Sequence, residues 1–176
     1  MQRQLVESVF TSQAGVVIVA PYLKMLFSRL AFTQEDQFVD VDSQQRAVQL
    51  LGYVATGAQE SLEHELVLSK ILCGLPIEHA IALDHPLTTT ETDLADGMLN
   101  AILQNWDKMS NSTVENLRGS FLIRDGRLEE DETDFYLQVE SAGFDIILSF
   151  LPWSITPIQL PWMENTLHVN WSTQMS

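Results

Sequence analysis

The chain has 176 residues, 45% of them hydrophobic, and 9 Lys and Arg face 24 Asp and Glu for a formal charge of −15. That length suits one domain, and an apolar share that includes 4 Trp and 8 Phe is enough for a core, which argues against a disordered chain. The negative charge repels phosphate backbones and anionic lipid surfaces and would attract a basic protein, although acidity is also an ordinary route to solubility.

Cys73 is the single cysteine, so neither an internal disulfide nor a cysteine-rich metal site can form, as suits a reducing compartment. The apolar run Ala14–Leu23 is interrupted at Lys24 after about ten residues, half of the roughly 20 that a membrane-spanning helix needs. It also makes a poor signal peptide, because Glu7 stands where a basic leader belongs. The expected address is the cytoplasm.

In chain order, residues 1–13 are mixed and polar and read as loosely held. Gly15–Ala20 reads as a short buried strand or an extended lead-in. Pro21 then opens a helix with Leu23, Leu26, Phe27 and Leu30 on one face. Residues 33–42 read as a polar connection. Ser43 is the expected cap of a second helix with the stripe Ala47, Val48, Leu50, Leu51, Val54 and Ala55, closed at Gly57. A third helix is expected from Gln59 to Leu72, with Leu62, Leu66 and Leu72 inward. Residues 74–90 read as a long loop. Thr90 with Asp93 resembles a capping box for a fourth helix reaching Met109 and burying Leu94, Met98, Ala101, Ile102 and Trp106. Ser112 with Glu115 is the expected cap of a fifth helix carrying Leu117, Phe121 and Leu122.

At Asp125-Gly126 the period changes. Either a tight hairpin turn sits there or Gly126 closes the fifth helix. The second reading is preferred, because Val114, Leu117 and Phe121 keep a helical interval up to the turn. Phe135–Glu140 alternates as a half-buried strand and is expected to pair with Arg127–Glu130 across the acidic turn 130–134. A short helix over Phe144–Leu151 precedes a tail rich in Pro and Trp, and Leu167–Trp171 reads as a last strand of the same sheet. The expected fold is therefore α+β and predominantly helical. It has five to six helices and a small antiparallel hairpin or sheet near the C-terminus. Residues 14–176 form one globular unit, divided into a helical part (21–124) and a β part with the Pro-Trp tail (125–176).

Chemistry finds little support. His64-Glu65 begins a zinc-protease pattern, but Leu68 stands where the second histidine belongs. His79 and His85 share a loop with Glu78 and Asp84, short of the convergent ligands a metal centre needs. The acidic stretch 129–134 lacks the oxygen-ligand spacing of a calcium loop. No nucleophile elbow or phosphate-cradling glycine loop is present, and Cys73 at a helix end reads as a buried structural thiol. The expectation is no catalytic residue, no cofactor and no metal. The candidate interface or tail-packing residues are Pro152, Trp153, Pro161, Trp162, His168 and Trp171. Prolines hold such a tail extended, and the tryptophans either anchor a partner or strap the tail over its own core. Self-packing is favoured, because tryptophans in a single domain usually find the core first.

Gly15–Leu30 (GVVIVAPYLKMLFSRL), Gln45–Gly57 (QRAVQLLGYVATG), Lys70–Pro76 (KILCGLP), Asn105-Trp106, Ser112–Leu128 (STVENLRGSFLIRDGRL) and Phe150–Trp171 (FLPWSITPIQLPWMENTLHVNW) occur in this order. In that order they resemble the C-terminal region of contractile injection system tape-measure proteins, relatives of phage tail length-determining proteins. The resemblance implies a non-catalytic part in tube assembly or length control, through contacts with tube, baseplate or terminator proteins. The alternative is an assembly chaperone or cargo adaptor that leaves the finished particle. A ruler must be long. Even a continuous helix would reach only about 260 Å at 1.5 Å per residue, and the breaks read above forbid one. The expectation is a fragment of a longer protein or a short relative.

Overall fold

Ala14–Val19 is apolar at every position, and each of its residues is buried. In the computed structural model, which describes residues 8–171, it forms a 3-10 helix and not the strand or extended lead-in that its composition suggested. An unbroken apolar run carries no period that separates strand from helix. Enclosure on all sides is what removed the period here. The run leads directly into α1 (Ala20–Arg29), whose Pro21 lies in the first turn, where a missing N–H goes unnoticed. Leu23, Leu26 and Phe27 of α1 enter the core as their spacing predicts.

Residues 33–42 are more than a connection. β2 (Thr33–Gln34) and β3 (Gln37–Phe38) form a two-residue hairpin. Glu35 and Asp36 take φ of 53° and 66° at its turn, the left-handed pair that such a hairpin demands. Glu-Asp is not a usual turn pair, so local sequence hid it. α2 (Val41–Thr56) starts earlier than expected: Asp40 and not Ser43 is the cap, and its carboxylate accepts the Ser43 N–H at 2.7 Å. Gly57 closes the helix with φ 78°, as read from the sequence. The third helical segment is shorter than expected. A 3-10 turn (Glu63–Leu66) leads into α3 (Val67–Leu72), so Leu62 lies ahead of the helix and is 61% exposed.

The long loop that follows has almost no secondary structure of its own. Side chains of α2 satisfy its backbone instead: Gln44 donates to Cys73 O (2.8 Å), Gln49 to His85 O (2.9 Å) and Arg46 to Pro86 O (2.5 Å). α4 (Thr89–Asn105) is capped by Thr88 with Glu91, not by Thr90 with Asp93. Three consecutive threonines made the register ambiguous. The ion pair of Glu91 with Arg46 (2.7 Å) joins that choice to α2. α4 ends at Asn105, short of the expected Met109, because Trp106 turns out of the helix, is wholly buried and donates to Ile147 O. α5 (Val114–Leu117) is capped by Thr113, whose hydroxyl accepts from Asn116 N at 3.0 Å; Ser112, the expected cap, binds the Asn116 side chain. It widens into a π turn (Arg118–Leu122), and Ile123 N donates to Arg118 O.

The helical segment begun by α5 therefore ends before Asp125, and Gly126 opens β4 (Gly126–Glu130) instead of closing a helix; the short helix expected over Phe144–Leu151 is a 3-10 helix, Gly143–Phe150. A side chain there would meet Ala14, whose Cβ would lie 2.7 Å from an added Cβ. As expected, β4 pairs with β5 (Phe135–Val139) across the acidic turn; the pairing is antiparallel, with Leu128 opposite Leu137. β6 (Leu167–Asn170) joins β5 in parallel. On the other side β4 receives β1 (Val9–Thr11), which belongs to the segment expected to be loosely held. Residues 1–7 of that segment lie outside the described residues. The sheet order is β1-β4-β5-β6, so the expected antiparallel hairpin stands at the centre of a mixed sheet. Leu128, Leu137, Val139, Leu167 and Val169 of one sheet face join the helical core. The fold is α+β and mostly helical.

Among the described residues, two buried polar side chains find no hydrogen-bond partner: Gln13, at both polar atoms, and Ser69, at its hydroxyl. A buried amide without hydrogen bonds costs its desolvation and returns nothing. Gln13→Met is therefore expected to stabilise the protein by about 1 kcal/mol, read from the urea midpoint. A loss of stability would mean that the amide has a bridging partner such as an ordered water.

Candidate interaction surface

The conspicuous tail residues are spent on the protein's own interior. Trp153 is half-buried, donates its indole N–H to Ile18 O (2.9 Å) and stands edge-on to Tyr22. Trp162 is 7% exposed, packs on Phe27 and Phe38 and donates to Leu72 O at 2.7 Å. Its carbonyl oxygen lies where a Gly74 side chain would project, 2.5 Å from an added Cβ. The Cys-Gly-Leu-Pro turn and the second Pro-Trp pair are thus one packed unit. Cys73 beneath it is buried, and that burial pushes its thiol well above the usual range. Pro152 and Pro161 are exposed, holding the chain in the course that turns the tryptophans inward.

Trp171 closes a charged cluster. Asp145 is fully buried and meets Arg124 at 2.7 Å and 3.0 Å, the Trp171 indole N–H at 2.9 Å and the Ala142 N–H at 2.9 Å. Burial alone would raise the Asp145 carboxyl, but these donors together hold it below the usual carboxylate range. Arg124 also donates to Ser120 O and lies over the rings of Phe144 and Trp171. Arg118 works similarly at the end of α2, donating to Val54 O and to Tyr53 O, which also accepts the capping Gly57 N–H.

His168 has a different setting. It lies on the solvent face of the sheet, stacked on Tyr136 at 5.0 Å and 14°, with Nε2 2.9 Å from Asp134. Strand alternation places Phe10, Arg127, Gln138 and Asn170 in one row of that face. Glu129, Tyr136 and His168 form the next row. Asn170 donates to Gln138 (2.8 Å), and the Tyr136 hydroxyl donates to Asp131 (3.0 Å). The Asp131 carboxyl is held far below its usual range, first by the Asp134 N–H and then by the Thr133 N–H. This anchors the hairpin tip. Phe10 is 74% exposed and borders a groove of about 660 Å³ that His64 and Glu65 wall on the far side. Reasoning from the sequence singled out His168 but missed Phe10, because three residues of strand give no readable alternation.

Several cations are paired within the chain, Arg124, Lys70 and Arg46 largely buried and Lys24 at the surface. Arg46 pairs with Glu91, Lys70 with Glu63, Arg124 with Asp145 and Lys24 with Asp36. The surplus of carboxylates is left to the surface.

The family model for contractile injection system tape measure proteins matches residues 1–171, and the chain belongs to that family. No curated protein and no solved structure matches it. Family membership gives it a structural role in such a system. Among the described residues, no helix is long and apolar enough to cross a membrane.

Proposed function

We propose that the chain is a non-catalytic assembly component of a contractile injection system, acting at the cytoplasmic assembly site and retained with the particle. It contributes to tube assembly or length control through contacts with tube, baseplate or terminator proteins, without nucleic acid or membrane insertion. The observation that carries this reading is the family match over residues 1–171, taken with a fold made of short elements. The longest helix, α4, has 17 residues and spans only about 25 Å. Such a fold contributes surfaces and not reach.

The test is deletion of this segment in the producing organism, followed by electron microscopy of particle number and tube length. Loss of particles, or tubes of altered length, is the expected result. Normal particles that carry no cargo would instead favour an adaptor. A chain that binds particle proteins in the lysate yet is missing from purified particles would indicate a chaperone.

A further inference from the structure

The two edges of the four-stranded sheet are finished differently. Beside β6, the tail runs past as a cover: Ile158 exchanges two backbone hydrogen bonds with Leu167 (2.8 and 2.9 Å), and Thr156 Oγ1 accepts from Val169 N (2.8 Å). Beside β1 no strand follows among the described residues.

The ladder shows what that open edge offers. Glu140 N donates to Asp125 O and Asp131 N to Asp134 O, so residues 125, 127 and 129 bond towards β5. Gly126 and Leu128 then bond towards β1, opposite Thr11 and Val9. Phe10 stands opposite Arg127, between the bonded pairs, so its own N–H and C=O point away from the sheet. A donor, an acceptor and an exposed aromatic ring thus occupy one position. The adjoining groove carries the carboxylates of Glu65, Asp125 and Glu140 against the guanidinium of Arg127, which already lies 3.6 Å from Glu129.

We propose that the β1 edge receives an extended segment of a partner protein in which Lys or Arg alternates with apolar residues, added as a fifth strand. This deepens the assembly reading and rests on it. Main-chain pairing to Phe10 supplies affinity; the cationic side chains fall on the face of Phe10, lay their stems over its ring, meet the groove carboxylates and set the choice of partner, while the alternating apolar residues fall on the opposite face beside Val9. An open edge left uncharged would invite indiscriminate pairing; the acidic groove restricts it to cationic strands.

The probe is the peptide acetyl-KVKVKVK-amide, titrated into the full ¹⁵N-labelled chain, with acetyl-EVEVEVE-amide as its charge-reversed control. The lysine peptide is expected to shift the amides of β1 and of residues 64–65 and to protect the Phe10 amide from exchange. It should bind at least about tenfold more tightly than the glutamate peptide. F10P removes the outward N–H together with the ring and is tolerated on an edge strand, whereas F10A removes the ring alone; F10P should weaken binding at least about tenfold and more than F10A does, and D125N/E140Q by about tenfold at low salt. Exchange of the Phe10 amide in the unaltered chain gives the answer even where F10P fails to fold. Unchanged Phe10 exchange at millimolar peptide, shifts confined to another surface, or equal binding by F10P would overturn the proposal. So would a peptide-free dimer, seen by sedimentation and lost in F10P, which would make a second copy the occupant. Peptide binding and particle assembly are separate readouts, so either reading can fail while the other stands.

Discussion

Asp145→Ala is expected to remove about 3–5 kcal/mol of stability, a large part of the 5–15 kcal/mol that a domain of this kind has. The cause is what remains behind. Arg124 is 8% exposed, and its two hydrogen bonds to Asp145 would vanish while its charge stays inside. The Trp171 and Ala142 N–H groups would lose their acceptor as well. Asp145→Asn should cost nearly as much, because an amide keeps the shape but not the charge. The pH dependence separates charge from shape. The carboxyl is held below its unfolded value of about 3.9, so its contribution is complete above that pH and fades as pH falls through the folded value. Urea unfolding at pH 7 should show the full gap between wild type and Asp145→Asn, and at pH 3 a smaller one. An equal gap at both would mean that packing, not charge, holds this cluster.

Gly15→Ala is expected to destabilise by about 3 kcal/mol, although alanine ordinarily favours a helix over glycine by about 1 kcal/mol. A Cβ at Gly15 would overlap the Phe121 carbonyl oxygen and come within 2.8 Å of Leu122 Cα. Those atoms belong to the backbone of the π turn and cannot rotate aside. Gly97, in α4 with nothing within 4 Å of an added Cβ, is the control: Gly97→Ala should stabilise by about 1 kcal/mol. Thermal unfolding of both variants tests the pair. A neutral Gly15→Ala would mean that the Ala14–Val19 helix can slide on the π turn, so that their close approach does not set the packing.

What the sequence determined by itself was whatever a few neighbouring residues decide. Gly57 ends α2 because a left-handed residue is needed there, and glycine adopts that conformation freely. The β4–β5 hairpin was legible from alternation on both sides of an acidic turn, and β6 from its short apolar pattern. The order of family-like segments from Gly15 to Trp171 lies in the sequence itself, and the family match over residues 1–171 agrees with it.

Tertiary structure decided where several local solutions were nearly equal. Asp40 and Ser43, Thr88 and Thr90, and Ser112 and Thr113 can all cap a helix. The choice fell with contacts elsewhere, as the Arg46–Glu91 pair illustrates for α4. The Ala14–Val19 run had no period to read, because neighbours enclose it on every side. β1 pairs with a strand more than a hundred residues away, a distance over which local pattern carries no information. The tryptophans had two possible uses, and acceptors such as Ile18 O and Leu72 O, supplied by other elements, drew them inward. The open sheet face around Phe10 followed from that same non-local pairing, which only the folded chain brings together.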